Sequence, residues 1–268
     1  MRKEQTKKII KESYGKIAQV KSGCGGGCGR DGDKFAKSVG YSDEDLKNIP
    51  AEANLSLSCG NPTALASLKE GETVLDLGSG AGFDCFLAAS KVGEKGKVIG
   101  VDMTSEMVEK ANTNAKKWNA RNIEFRLGEI EKLPVKDGFV DVIISNCVIN
   151  LSADKLKTFK EAYRVLKDGG RIAISDIALI KELPLDVRRS IEAYVGCVGG
   201  AILIEEYKRI VEVAGFRDVK ITIKGTSSCI DLNTLDPMGR AILDSIGGSK
   251  SLEGRVVSVY VEGRKGKI

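Results

Sequence analysis

Apolar residues recur at helical spacing at the start of the chain, at Ile9, Ile10, Tyr14, Ile17 and Ala18, so residues 1–20 read as an amphipathic helix. The run SGCGGGCGRDG from Ser22 to Gly32 holds too much glycine for regular structure and predicts a loop bearing two thiols. The polar stretch YSDEDLKNIP then reads as a capped turn or short helix. From Glu72 the pattern changes to apolar runs alternating with helical periodicity: TVLDLG, a helix through Lys91, KVIGVD, a helix from Ser105 to Trp118, IEFRLG, VDVIISN, a helix from Ala153 to Leu166, and GRIAISD. Five strands separated by helices or loops predict an α/β fold with a parallel, doubly wound, Rossmann-like sheet. Beyond Asp176 the pattern predicts helices around Pro184 to Val198 and from Ile204 to Ala214, a strand in DVKITIKG, a helix in AILDSIGG and a last strand in RVVSVYVEGR, an α+β region. No internal repeat or long linker divides the chain.

At 268 residues the chain suits one large domain, or a catalytic domain with a smaller appendage. A net charge of +5, from 42 basic and 37 acidic residues spread along the chain, makes no demand for nucleic acid. No stretch approaches the ~18 consecutive apolar residues of a membrane span, and the polar N-terminus lacks the apolar segment of an export signal. Histidine is absent, which excludes Ser-His-Asp, Cys-His and His-zinc chemistry. Seven cysteines, an odd number without an export signal, predict free thiols in a reducing compartment, the cytoplasm.

The strand VLDL runs into Gly78, Ser79, Gly80, Ala81 and Gly82, a glycine turn at the carboxyl end of the first strand, where open α/β sheets bind ligands. A dinucleotide fingerprint needs glycine at position 83, where Phe83 stands. Asp76 before the turn would repel a pyrophosphate but welcome a sulfonium and an amino group. The loop resembles motif I of the S-adenosylmethionine-dependent methyltransferases. Asp102, at the end of the next strand, is placed to accept hydrogen bonds from two ribose hydroxyls. The resemblance implies that Glu129 and the Ile130 backbone hold the adenine edge, that Asn146 lines the methionine moiety, and that Tyr14 and Met103 belong to the same donor site. Asp84 reads as a helix N-cap or first-turn carboxylate, and the resemblance adds a contact to the donor's ammonium.

Cys85, inside the apolar run FDCFLAA, reads as core. Cys59, Cys147 and Cys197 adjoin glycine, asparagine or proline near element ends and look presented instead. No CxxC pair exists for structural zinc, and a three-thiol site for a soft three-coordinate ion fits better. The runs LSCGNP, DLGSGAGFDC, GVDMTSEMVEKA, SNCVINL, LKDGGRIAISD and YVGCVGGA together resemble the arsenite methyltransferases. The resemblance implies that Cys147 and Cys197 bind arsenic, Cys59 is the third thiol, and Cys24 is a relay thiol, with Cys28 an equal match for that role. It implies residues 1–70 covering the site, 71–178 binding the donor, and 179–268 completing the arsenic side. The implied partners are arsenite or methylarsenite as thiol complexes and a glutathione-like or thioredoxin-like reductant, with neither nucleic acid nor membrane. A methyltransferase acting on carbon or oxygen of another small molecule, or a noncatalytic metalloid sensor, remains an alternative for the same residues.

Overall fold

A computed structural model describes residues 3–19, 28–226 and 252–267. The helix expected at 241–248, and Cys24 and Cys229, lie outside them. The chain opens with α1 (Lys3–Gln19), α2 (Cys28–Ser38), α3 (Asp43–Lys47) and α4 (Pro62–Ala66). The alternating segment supplies β1 (Thr73–Leu77), α5 (Phe83–Val92), β2 (Lys97–Asp102), α6 (Ser105–Lys117), β3 (Ile123–Leu127), β4 (Val140–Asn146), α7 (Lys155–Val165) and β5 (Leu166–Leu179). The final part adds α8 (Leu185–Arg189), α9 (Ile191–Val195), α10 (Ile204–Val213), β6 (Arg217–Thr226) and β7 (Val256–Arg264).

The seven strands form one sheet in the order β3-β2-β1-β4-β5-β7-β6, parallel through β5. β7 runs antiparallel to β5 from Arg171↔Arg264 to Leu179↔Val256, and β6 closes that edge. Side chains alternate across each central strand. Val74, Val98, Val142 and Ile144 face α4, α5 and α6, while Leu75, Ile99 and Ile143 face α7 and α10. Both faces are therefore covered, which explains the near-continuous apolar runs of these strands. The strand order reverses between β1 and β4, and the chain leaving their carboxyl ends lines a cleft.

Local chemistry sets the helix ends. Ser42 and Asp45 cap α3 reciprocally, each side chain accepting the other's backbone N–H. Asn61 caps α4 with Pro62 in its first turn, and Asp154 caps α7.

Two sequence expectations need correction. The glycine-rich loop was expected to extend to Gly32, but α2 starts at Cys28. The helix gains from burial of Phe35 and Ala36, a tertiary gain that outweighs the poor propensity of Gly29 and Gly32. The helix expected from Pro184 to Val198 is two short helices, broken at Ser190. That residue is extended, and its hydroxyl accepts the Ala193 N–H to start α9. Cys85 is fully buried, as its apolar run implies. Among the described residues no helix is long and apolar enough to cross a membrane.

Candidate active site

The cleft lies over the carboxyl ends of β1, β2 and β4, roofed by Lys7, Ile10 and Tyr14 of α1, and encloses about 1050 Å³ including its open mouth. Its floor is the glycine turn. Gly78, Gly80 and Gly82 all have positive φ, at +70°, +51° and +96°. A Cβ on Gly78 would collide with Val148, and one on Gly82 would lie 2.7 Å from the Phe125 ring. Glycine is thus required at both ends of the turn, by conformation and by space.

Three carboxylates converge here. Asp102 is half-buried and accepts the Gly80 N–H at 3.0 Å and the Thr104 N–H at 2.8 Å. Burial raises its pKa against these hydrogen bonds. Asp76 is buried, accepts the Cys85 thiol at 3.3 Å, and is raised well above the usual carboxylate range by burial and then by the charge of Asp84. Asp84 sits in the first turn of α5 behind the N-cap Gly82. It accepts from Tyr41 Oη at 2.8 Å and from Asn146 Nδ2 at 3.0 Å. Burial nevertheless pushes it up to about 6. Among the described residues none of the three makes an ion pair, so a cationic ligand entering the cleft would favour their charged forms against the effect of burial. The Ser79 hydroxyl is buried at the cleft with no hydrogen-bond partner in the structure.

The other expected donor residues divide. Met103, Ile130, Tyr14 and Asn146 line the cleft, and the Tyr14 hydroxyl also donates to the Val195 carbonyl at 3.2 Å. Glu129 does not line it. Its exposed side chain takes Lys7 Nζ at 2.7 Å, while Glu131, two residues later, is buried and faces the cleft. Glu131 accepts from Ser152 Oγ at 2.8 Å and from Lys7 at 3.3 Å. Glu131 and Tyr41 escaped the sequence reading. For Tyr41 no local signal exists, since its partner lies 43 residues away. The Glu-x-Glu spacing of 129 and 131 held a usable hint.

The thiols depart from expectation in two ways. They are not presented to solvent, for Cys59, Cys147 and Cys197 are 6%, 7% and 4% exposed, packed with Ile10, Leu151, Ile177 and Val198 beneath α1. Nor are all three free thiols: Cys59 and Cys147 form a disulfide across 88 residues, with Cα atoms 5.9 Å apart. Cys197 keeps its thiol, which donates to the Cys147 carbonyl at 2.7 Å. Among the described residues no group of three His, Cys, Asp or Glu side chains is set to hold a metal ion. Cys147 and Cys197 both adopt left-handed backbone, φ +56° and +67°, a conformation non-glycine residues rarely hold without reason. Cys28 opens α2, and its side chain is outside what is described.

Comparison with known proteins matches residues 68–215, over half of the chain, to the methyltransferase domain model. The chain belongs to the methyltransferase-domain family. It is 46% identical over 237 residues to the arsenite methyltransferase of Halobacterium salinarum, covering 84% of this chain and 61% of that protein. It is 39% identical over 183 residues to the human arsenite methyltransferase, covering 65% of this chain and 48% of the human one. The chain therefore spans about half to three fifths of the length of these curated relatives. Among solved structures, the arsenic(III) S-adenosylmethionine methyltransferase of Chlamydomonas reinhardtii superposes with a TM-score of 0.61 at 31% identity, covering 87% of this chain and 74% of that one.

Proposed function

We propose that this methyltransferase moves a methyl group from S-adenosylmethionine to trivalent arsenic held on cysteine sulfur. The observation that carries the reading is the position of Cys147, which lines the donor cleft while its sulfur meets Cys59 and its carbonyl meets the Cys197 thiol. The relatives' names support the same substrate and donor.

The cleft fits the donor. Asp102 would take the ribose hydroxyls, the Ile130 backbone the adenine edge, and Asp76 and Asp84 the cationic end, whose charge would draw both carboxyls into their ionised form, with Glu129 assisting from the rim. When bound, the donor supplies a methyl group on a sulfonium, an electrophile needing no proton transfer to react. Arsenic on thiolates keeps a lone pair. As the arsenic–carbon bond forms and the sulfonium–methyl bond breaks, arsenic passes from the trivalent to the pentavalent state. Two cysteine thiolates return the two electrons by closing a disulfide, which an external glutathione-like or thioredoxin-like thiol then reopens. The Cys59–Cys147 disulfide fits the oxidised end of such a cycle, and its reduction would free both sulfurs to join that of Cys197. Catalysis then rests on holding two reactants in line, which needs no histidine. Cys24 is assigned the relay role, residues 1–70 the cover, 71–178 the donor side and 179–268 the arsenic side. The chemistry requires a reducing compartment such as the cytoplasm.

The test is incubation of the reduced chain with arsenite, glutathione and methyl-labelled donor, followed by separation of the arsenic species. Labelled methylarsenicals are expected. Donor binding with no labelled arsenical would return the site to a methyltransferase acting on another small molecule.

A further inference from the structure

The segment carrying Cys59, residues 54–61, has neither helix nor strand, yet Cys59 is buried at a defined place. One side chain holds the backbone around it. Asn146, the last residue of β4, accepts the Cys59 N–H on Oδ1 at 2.9 Å. Its Nδ2 has two hydrogens to share among three acceptors within reach, the Gly60 carbonyl at 2.9 Å, the Tyr41 hydroxyl at 2.9 Å and Asp84 at 3.0 Å. One planar amide thus grips the backbone on both sides of Cys59. Only an amide can do this, because a carboxylate lacks the donors and an apolar side chain lacks both functions. The oxygen must face the Cys59 N–H, since all the other neighbours offer acceptor oxygens to the nitrogen. The grip is backed by Gly60, where a Cβ would collide with Ser175 and Tyr260, and by the Asn61 N–H donating to Tyr260 Oη at 3.1 Å. Asn146 immediately precedes Cys147, so the same amide that holds Cys59 begins the turn that carries its sulfur partner.

We propose that Asn146 is a positioning residue that sets Cys59 against Cys147 and ties that setting to the donor-side carboxylate Asp84. The position expected to line the methionine moiety thereby gains a second task, fixing the thiol side of the cleft. The consequence for substrate rests on the arsenic reading above; the positioning itself does not.

Two measurements on the full chain test it. In the first, the Cys59–Cys147 disulfide is equilibrated with glutathione buffers without arsenic, where closing it converts one oxidised glutathione into two reduced ones, and the fraction closed is read by peptide mapping. Asn146→Ala should lower the equilibrium constant by about tenfold, as expected when a buried backbone N–H and carbonyl lose their partner and Cys59 is no longer fixed. In the second, arsenite is titrated by calorimetry into the reduced wild type, Asn146→Ala, Cys59→Ser and the double variant. Asn146→Ala should weaken arsenite about tenfold when Cys59 is present and not at all in the Cys59→Ser background, because a residue acting through Cys59 has nothing left to act on. Equal weakening in both backgrounds, or an unchanged disulfide constant, would overturn the proposal. A reduced wild type that takes up no arsenite would sink the arsenic reading, while the glutathione measurement still decides the positioning. Should Asn146→Ala fail to fold, the isosteric Asn146→Asp, which keeps the acceptor and loses the donors, takes its place with the same expected direction.

Discussion

Asp102 works twice, since its two oxygens already hold the Gly80 and Thr104 backbone while the same carboxylate faces the cleft. Asp102→Ala should therefore weaken the demethylated donor, S-adenosylhomocysteine, by ~1.5 to 3 kcal/mol, the range for charged hydrogen bonds. Calorimetry at fixed salt checks this, and undiminished affinity would remove Asp102 from the donor site. Asp176 offers a different residue-scale test. It is fully buried at the far end of β5, accepting from Asn150, the Ile177 N–H and the Tyr207 hydroxyl. Burial pushes it up to about 7, although its hydrogen bonds and the Lys155 charge pull the other way. A carboxylate raised in the folded state favours folding while it keeps its proton, so its contribution is full below the ordinary carboxylate range near 4 and is lost as pH rises through 7. Wild-type stability should fall between pH 5 and 8 more steeply than that of Asp176→Asn, whose amide stays neutral. Parallel thermal melts at the two pH values read the difference, and equal slopes would contradict the raised pKa.

Among the elements, α1 matters most because it closes the cleft. Ile10 buries itself against the thiol cluster, Tyr14 reaches α9, and Lys7 bridges to Glu129 and the buried Glu131. Those nearby carboxylates raise the Lys7 pKa against the opposing effect of burial, so the lysine is charged across the physiological range. The Glu131 half of the bridge is shielded, unlike an exposed surface pair of little worth. Lys7→Met should keep the apolar stem while losing the latch, speeding release of S-adenosylhomocysteine several-fold in stopped-flow measurements with little change in association rate. Unchanged release would mean that apolar packing alone seats α1. The helix was legible in the sequence because its apolar stripe is local. Its role as a roof was not, because that depends on which loops lie beneath it. The same division applies to α8 and α9, whose apolar content predicted helix while the extended Ser190 split it in two.

For the whole molecule, the thiol site joins three distant pieces of chain: the Cys59 segment, the turn after β4, and the turn after α9 with Cys197. Cys147→Ser or Cys197→Ser should abolish methyl transfer to arsenite and to monomethylarsenite, since a hydroxyl neither ionises near neutral pH nor ligates a soft ion well. Cys59→Ser should stop the first transfer yet keep measurable activity on monomethylarsenite, in which carbon has replaced one sulfur. These assays use reduced protein at saturating donor, with melts confirming the fold. Full arsenite activity in either Cys147→Ser or Cys197→Ser would defeat the three-sulfur mechanism.

By itself the sequence determined the strand-and-helix alternation, the glycine turn, the acid closing β2 and the identity of the cysteines, because each is written in residues close together along the chain. Residues such as Val74 and Leu75 show why: facing opposite sides of the sheet, they must both be apolar wherever the strand finally lies. Only the tertiary structure decided that Cys59 meets Cys147, that Asn146 grips the Cys59 backbone, and that Glu131 rather than Glu129 faces the cleft. It also decided that the thiols lie buried under α1, although their polar and glycine neighbours suggested exposure. The contacts of Cys59 with Cys147 and with Asn146 span 88 and 87 residues and depend on the strand order, and no local pattern of side chains encodes which distant backbone will arrive to satisfy a given amide, carboxylate or sulfur.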